Sequence, residues 1–311
     1  AIAAVIGIKN GHTWREIERG MIETISMSLQ AILILLMVGA LIGAWILSGT
    51  VPSMIYYGVQ LMSPDYFYLT ACLVCALLGF SIGSSWTVAG TLGIGLMGIA
   101  AALDLSLPMS AGAIISGAYF GDKLSPLSET TNLAAAVTSN DLFDHIQHML
   151  WTTVPAILIT LLIFFVLGLG NNSGVVIEDI INLQNAMDQA FHISPLMLIP
   201  LFVLLTLAIK KQPALSTLIS GTVLGCIFAA IFQWDAAVAL ASDSNLHPLA
   251  AIFKGLFSTM FLGYTSVSGN ESLDSLLSKG GMSSMLTTIG LVVNAMAFGG
   301  AMARTGLLSR L

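Results

Sequence analysis

Apolar positions in this chain fall into long unbroken runs, not the alternation of elements wetted on one face. Ser26–Leu47, Met149–Gly168, Pro195–Ile209, Ala214–Phe232 and Ser283–Ala303 contain no charged residue. Most approach the roughly 20 apolar residues that a helix needs to cross a bilayer. The Pro195 run is short and closely followed by the next, which predicts a helical hairpin turning at Lys210-Lys211-Gln212-Pro213. Between Tyr66 and Val137 the chain is apolar but broken repeatedly by Gly, Ser, Thr and Pro. Such breaks survive at membrane depth only where the freed backbone groups are buried in protein or line a wet cavity, so function is expected there. The amphipathic stretch Leu249–Leu277 is expected at the outer surface, or dipping in and returning. A full crossing by Leu249–Thr265 is the alternative.

Composition agrees. Of 311 residues, 56% are hydrophobic and only 8% charged, with a mean hydropathy of +0.92, whereas soluble domains carry about 25% charged residues. So apolar a surface needs lipid as its solvent. The net charge of −6 is spread thinly, with no basic run to meet nucleic acid. Cys72 and Cys75 form a C-x-x-C inside LTACLVCALL and read as small packing residues; with Cys226 the count is odd, which argues against a disulfide framework. The opening AIAAVIGI reads as the last turns of a helix, and the chain is expected to be a piece of a longer transporter.

Lys9, Arg15, Arg19 and Lys210-Lys211 mark the basic loops, while 171–193 and 233–247 carry no Lys or Arg. Placing the basic loops in the cytoplasm sends Ser26–Leu47 outward and Ser283–Ala303 inward. Gly43-Ala-Trp-Ile-Leu-Ser-Gly49 matches Gly300-Ala-Met-Ala-Arg-Thr-Gly306, and Gly20-Met21 precedes the first helix as Gly281-Met282 precedes the second. That is the pattern of an inverted repeat. It divides the chain into 1–248, holding the end of a leading helix, a first repeat and linking helices, and 249–311, the start of a second repeat.

Two stretches carry candidate chemistry. Ser116–Val137 packs Asp122, Lys123, Ser125, Ser128, Glu129, Thr130, Thr131 and Asn132 between apolar segments. Carboxylates in a bilayer mark ion or proton paths, and hard cations want several oxygens; an ordinary polar loop is the competing reading. Gly79–Gly98 gathers Ser81, Ser84, Ser85, Thr87 and Thr91 around Gly83 and Gly90, which reads either as a broken helix lending ligands or as close helix packing. Gly93, Gly95 and Gly98 match G-x-G-x-x-G without the strand a nucleotide site requires. Asp141, Asp144, His145 and His148 sit at helical spacing, as a solvated helix start or as a metal group.

At Gly121–Ala134, GDKLSPLSETTNLA, the chain resembles the NhaC-type sodium/proton antiporters. Ser84-Ser85-Trp86-Thr87 and Ala295–Leu308 are similar to that family as well. The resemblance implies an all-α, multi-pass carrier of the bacterial inner membrane, built from inverted repeats with broken or re-entrant helices. Sodium and protons would be its substrates, no cofactor is implied, and a homodimer is a possible assembly. Glu129 stands where the family commonly has Asp. On this reading Asp122 and Glu129 exchange sodium for protons, with neutral oxygens from Ser125, Ser128, Thr130, Thr131 and Asn132. Ser84, Ser85 and Thr87 form a second contributing break, and Lys123 is a charge partner for Asp122. The alternative on the same scaffold is a sodium-coupled carrier of organic acids or amino acids. It calls for a cationic group or half-helix N-terminus facing the cavity. A membrane enzyme would need a metal cluster or a nucleophile–base pair, and a channel would show no saturation.

Overall fold

The computed structural model describes residues 2–126, 128, 130–131, 134–135, 140–169, 177–210, 212–241 and 247–306. Among these the regular elements are all helical. Five helices among the described residues are long and apolar enough to cross a membrane: Leu29–Leu47, Pro64–Ile82, Leu142–Leu169, Ala214–Phe232 and Met282–Arg304. A sixth span arises if Ile181–Ala190 and Pro195–Ile209, bent by 85°, count as one.

The N-terminal part is α1 (Ile2–Lys9), α2 (Trp14–Met27) and α3 (Leu29–Leu47). Thr13 and Glu16 close a capping box that starts α2: the Glu16 N–H donates to the Thr13 hydroxyl at 3.4 Å and the Thr13 N–H to the Glu16 carboxylate at 3.0 Å. With only Ser28 between them, α2 and α3 span 34 residues, about 50 Å at 1.5 Å per residue. After α4 (Thr50–Leu61) comes the broken region: α5 (Phe67–Ile82), α6 (Ser85–Gly90), α7 (Leu92–Ala102) and α8 (Leu107–Leu124). It contains one full-length span, Pro64–Ile82, which the density of small and polar residues concealed in the sequence.

The long helix α9 (Leu142–Leu169) follows, then α10 (Ile177–Ala190), α11 (Ile199–Ile209) and α12 (Ala214–Phe232). Helices α11 and α12 form the expected hairpin, with Leu204 seated where Gly221 has no side chain. Trp45 fixes α12 to α3 by donating its indole N–H to the Gly221 carbonyl at 3.0 Å.

Beyond α13 (Trp234–Ala239), the amphipathic stretch resolves into α14 (Pro248–Leu262), an excursion over 263–281 containing α15 (Glu271–Leu277), and then α16 (Leu286–Arg304). The Tyr264 N–H donates to the Lys279 carbonyl at 3.1 Å, closing the neck of the excursion. The Gly281 N–H donates to the Gly39 carbonyl at 2.8 Å. The excursion therefore leaves and returns beside the middle of α3. Helices α14 and α16 follow one another antiparallel to the α2–α3 rod: Thr259 lies against Gly43, Gly281 against Gly39, and Gly300 against Gly20.

The last two contacts are images of each other under an offset of 261 residues, which carries Gly20 to Gly281 and Gly39 to Gly300. Their neighbours Ala40 and Ala301 are both buried. The offset of these contacts differs by one helical turn from the offset that pairs Gly43 with Gly300 in the sequence.

Candidate functional site

Helices α5 and α8 approach closely because their facing positions are small. A side chain on Gly117 would run into the Cys72 carbonyl, and one on Gly121 into the Ala76 carbonyl. Cys72 and Cys75 are buried in this contact, as small packing residues. Small residues at spacing four let membrane helices touch backbone to backbone. The contact brings the end of α8 beside the end of α5, where Gly83 takes the left-handed conformation (φ 72°) and stops the helix.

The chain restarts at Ser84, extended at φ −152°, whose hydroxyl accepts the Thr87 N–H at 3.3 Å to cap α6. A second irregularity at Thr91 (φ −118°, ψ −83°) separates α6 from α7, and the Thr91 hydroxyl donates to the Thr87 carbonyl at 2.6 Å. The span is thus broken within a residue of both places, Gly83 and Gly90, where the sequence pattern is interrupted.

Asp122 meets this break. Its Oδ2 accepts the Ser85 hydroxyl at 2.8 Å and the Ser85 N–H at 3.1 Å. These are charge-assisted bonds from the first residue of α6. Its other oxygen, Oδ1, is buried and has no hydrogen-bond partner. Asp122 lines a cavity of about 200 Å³ together with Ser84, Thr87, Ser128, Thr130, Gln30 and the α11–α12 turn at Gln212, Pro213 and Ala214. A carboxylate with one oxygen fixed and one without a partner, on a residue whose cavity is walled by hydroxyls, offers oxygens of the kind a small hard cation binds.

The two polar stretches read from the sequence therefore converge. Ser125 and Ser128 are fully buried. The Ser128 and Thr130 hydroxyls lie 3.0 Å apart, the Thr131 N–H donates to Ser128 Oγ at 3.3 Å, and the Thr131 hydroxyl donates to the Lys123 carbonyl at 3.0 Å. The Lys123 side chain is exposed. The ion pairs among the described residues are His12–Glu16 and Arg19–Glu23, so Lys123 and Asp122 are not paired. Glu129 and Asn132 lie outside the described residues.

Asp141 starts α9 by accepting the Phe143 and Asp144 N–H groups at 2.9 and 3.3 Å. Among the described residues, no three His, Cys, Asp or Glu side chains gather as a metal site.

Sequence reasoning missed Gln30 and Gln212 in the cavity wall, and a second carboxylate cluster in the excursion. There Asp274 Oδ1 accepts the Ser268 N–H at 2.8 Å and the Ser266 and Ser268 hydroxyls at 2.7 Å each. The Ser268 backbone bond foremost, then the two hydroxyls, hold its carboxyl down at about 2. The signal was present in T-S-V-S-G-N-E-S-L-D-S, hydroxyls and acids amid apolar sequence, the same kind that singled out Ser116–Val137.

Residues 117–311 match the Na+/H+ antiporter family. The whole chain is 37% identical to the Na(+)/H(+) antiporter NhaC of Alkalihalophilus pseudofirmus, covering 64% of that protein. It is 35% identical over 99% of its length to the malate-2H(+)/Na(+)-lactate antiporter of Bacillus subtilis, covering 62% of it. It is 36% identical over 96% of its length to the arginine/ornithine antiporter ArcD of Halobacterium salinarum, covering 59%. The chain thus spans less than two thirds of the length of these relatives. No solved structure matches it.

Proposed function

Because the chain belongs to the Na+/H+ antiporter family, whose members are transporters and not enzymes, we propose that this multi-pass membrane protein exchanges Na+ for H+ across the bacterial inner membrane, with Asp122 carrying one ion or the other. The observation that carries this reading is the asymmetry of the Asp122 carboxylate: Ser85 fixes Oδ2, while Oδ1 is buried and unpartnered, on a residue that lines a cavity with hydroxyl walls. A proton or a sodium ion on Oδ1 satisfies it, and the two exclude each other. Ser84, Thr87, Ser128 and Thr130 supply neutral oxygens from the cavity wall, and Ser125, Thr131, Glu129 and Asn132 complete the segment's role as ion carrier. Lys123 balances charge from the surface. No cofactor takes part.

Alternating exposure would come from rocking two inverted repeats against each other. Residues 1–248 hold the first repeat and 249–311 the start of the second. The antiparallel course of α16 along α2–α3, with its 261-residue offset, supports that division.

One feature favours a second reading, in which the cation travels with or against an organic acid. The N-terminus of the 19-residue helix α12 has no side-chain cap, and Pro213 and Ala214 face the same cavity. Open main-chain N–H groups at a helix start suit a carboxylate. Acid-loaded proteoliposomes of the full-length protein with an internal pH dye separate the readings. Alkalinisation on adding Na+ alone, abolished by Asp122→Asn, supports Na+/H+ exchange. Silence with Na+ alone, but a response when malate, lactate or arginine is also supplied, establishes the second reading. Unchanged Na+-driven alkalinisation with both Asp122→Asn and Glu129→Gln removes the proposed site.

A further inference from the structure

A second cavity lies along the same stripe of α3 as the Asp122 cavity, beyond the break between α6 and α7. Ile34, Val38, Ile42 and Ile46 recur one helical turn apart on α3. Ile34 lines the Asp122 cavity, while Ile42 and Ile46 line the second one. Val38 stands between them against Gly90, where a Cβ would come within 2.9 Å of Val38 Cγ2. Helix α6 divides the two spaces in the same order: Trp86 and Thr87 line the first, and Ala89 and, past the break, Gly93 line the second.

The second cavity has a volume of about 370 Å³, within the roughly 300–1,000 Å³ of small-molecule sites. Its walls are apolar: Ile55 of α4, Met97 of α7, Ile114 of α8 and Leu276 of α15 join the two isoleucines of α3. Among the described residues that line it, Lys279 alone has a polar side chain. An apolar space with one charged group on its wall is the usual composition of a site for a small organic ligand, in which the polar group fixes orientation.

The neck of the excursion carries this lysine in beside the spanning helix Leu29–Leu47. The Lys279 carbonyl accepts the Tyr264 N–H at 3.1 Å, and a Cβ on the adjacent Gly280 would sit 2.7 Å from the Gly43 nitrogen. The end of α3 is no outer surface, since Leu47, Ser48 and Thr50 are all 0% exposed. A base within the length of a membrane span is costly and marks a functional contact. Lys279 is exposed and belongs to neither ion pair among the described residues, His12–Glu16 or Arg19–Glu23. Asp274, the acid nearest to it in sequence, is held by Ser266 and Ser268. Helix ends of both signs meet at the cavity: α3 ends and α4 starts near Val51, and α6 ends and α7 starts before Gly93. Their partial charges largely offset, so the full charge of Lys279 decides the sign of the ligand.

We propose that this cavity binds a small monocarboxylate with an apolar body, its carboxylate on the Lys279 ammonium and its body against the isoleucine and methionine walls. An anion without apolar surface leaves those walls unfilled, and a neutral apolar molecule leaves the ammonium unpaired. The site is separate from the α12 start in the Asp122 cavity. Ile42 is eight residues along α3 from Ile34, about 12 Å at 1.5 Å per residue. Binding here therefore does not require that Asp122 exchange ions. A ligand bound only by the folded state raises the unfolding temperature with its concentration.

The test is thermal unfolding of the full-length protein in detergent, in an Asp122→Asn background, with isocaproate replacing chloride at constant ionic strength. Isocaproate should raise the midpoint, and its uncharged amide should not. Lys279→Met should weaken the apparent affinity by about tenfold or more, as loss of one hydrogen bond to a charged group does, and Lys279→Arg should retain it. Ala111→Leu, which fills the cavity and keeps the charge, should weaken it as well. No response to isocaproate with Lys279 intact would overturn the proposal. So would a response unchanged in both Lys279→Met and Ala111→Leu, which would place the anion elsewhere, such as at the α12 start. Protection by palmitate alone would assign the space to a lipid and overturn it too. Failure of the Asp122 reading shows elsewhere, as ion exchange that persists in Asp122→Asn.

Discussion

Substituting Gly121 with Ala tests whether the approach of α5 to α8 is what positions Asp122. The added Cβ would fall on the Ala76 carbonyl and the Phe80 amide, with the Gly79 carbonyl carbon 2.8 Å away. These are main-chain atoms and cannot swing aside, so the helices must part by about 1 Å to restore ordinary contact. Asp122 is the next residue along α8. A shift of that size takes its 2.8 and 3.1 Å bonds from Ser85 beyond hydrogen-bonding length. Each bond to a charged group contributes about 1.5–3 kcal/mol, and overpacking adds about 1–3 kcal/mol. Ion exchange in proteoliposomes should therefore fall by at least about tenfold, the equivalent of 1.4 kcal/mol, with a lowered unfolding midpoint. Gly112→Ala is the control on the same helix, since its Cβ would meet only Phe164 at 3.8 Å. It should leave both readouts unchanged. If Gly121→Ala behaves like Gly112→Ala, close packing does not set the Asp122 geometry and that step of the reasoning fails.

Asp274 should govern the excursion over 263–281. Its carboxyl is held at about 2 in the folded protein, below the unfolded value near ~3.9, so its contribution is full above that unfolded value and is lost as pH falls through about 2. Protection from hydrogen exchange across 264–280, taken relative to the intrinsic rate at each pH, should be high and flat from neutral pH down to about 4 and low throughout in Asp274→Ala; equal protection in that variant contradicts the assignment. Trp45→Phe removes the indole bond to the Gly221 carbonyl and should cost about 1 kcal/mol in unfolding measurements. An unchanged midpoint would show that this bond does not hold α12 to α3.

Much of the helical layout was legible because charge-free runs of membrane length have few other readings. Met149–Gly168, Ala214–Phe232 and Ser283–Ala303 lie in helices long and apolar enough to span, and Ser26–Leu47 overshoots such a helix, Leu29–Leu47, by three residues. Pro64–Ile82 was hidden because its uninterrupted apolar core is short, with Pro64 and Asp65 at one end, Thr70 within it and Gly79 and Ser81 at the other. Which glycine of α3 meets the α14–α16 segment was not legible for a simple reason. Gly39-Ala40 and Gly43-Ala44 are one turn apart and look alike in sequence, and only the contacts of Gly39 with Gly281 and of Gly20 with Gly300 distinguish them. At the site, the polar residues were visible but their pairing was not. Ser85 and Asp122 are 37 residues apart, and nothing local says that Ser85, and not the adjacent Lys123, partners the carboxylate. Gln30 and Gln212 reach the cavity only through the packing of α3 and the α11–α12 turn against it.

The most direct test of the central claim is equilibrium binding of radioactive sodium to the purified full-length protein as a function of pH, beside Asp122→Asn. If one carboxylate carries either ion, part of the binding weakens by about tenfold for each unit of pH below its titration. That proton-competitive part disappears in Asp122→Asn, leaving only binding that does not respond to pH. Proton-competitive sodium binding that persists in Asp122→Asn would contradict the account and move the exchange site to another group.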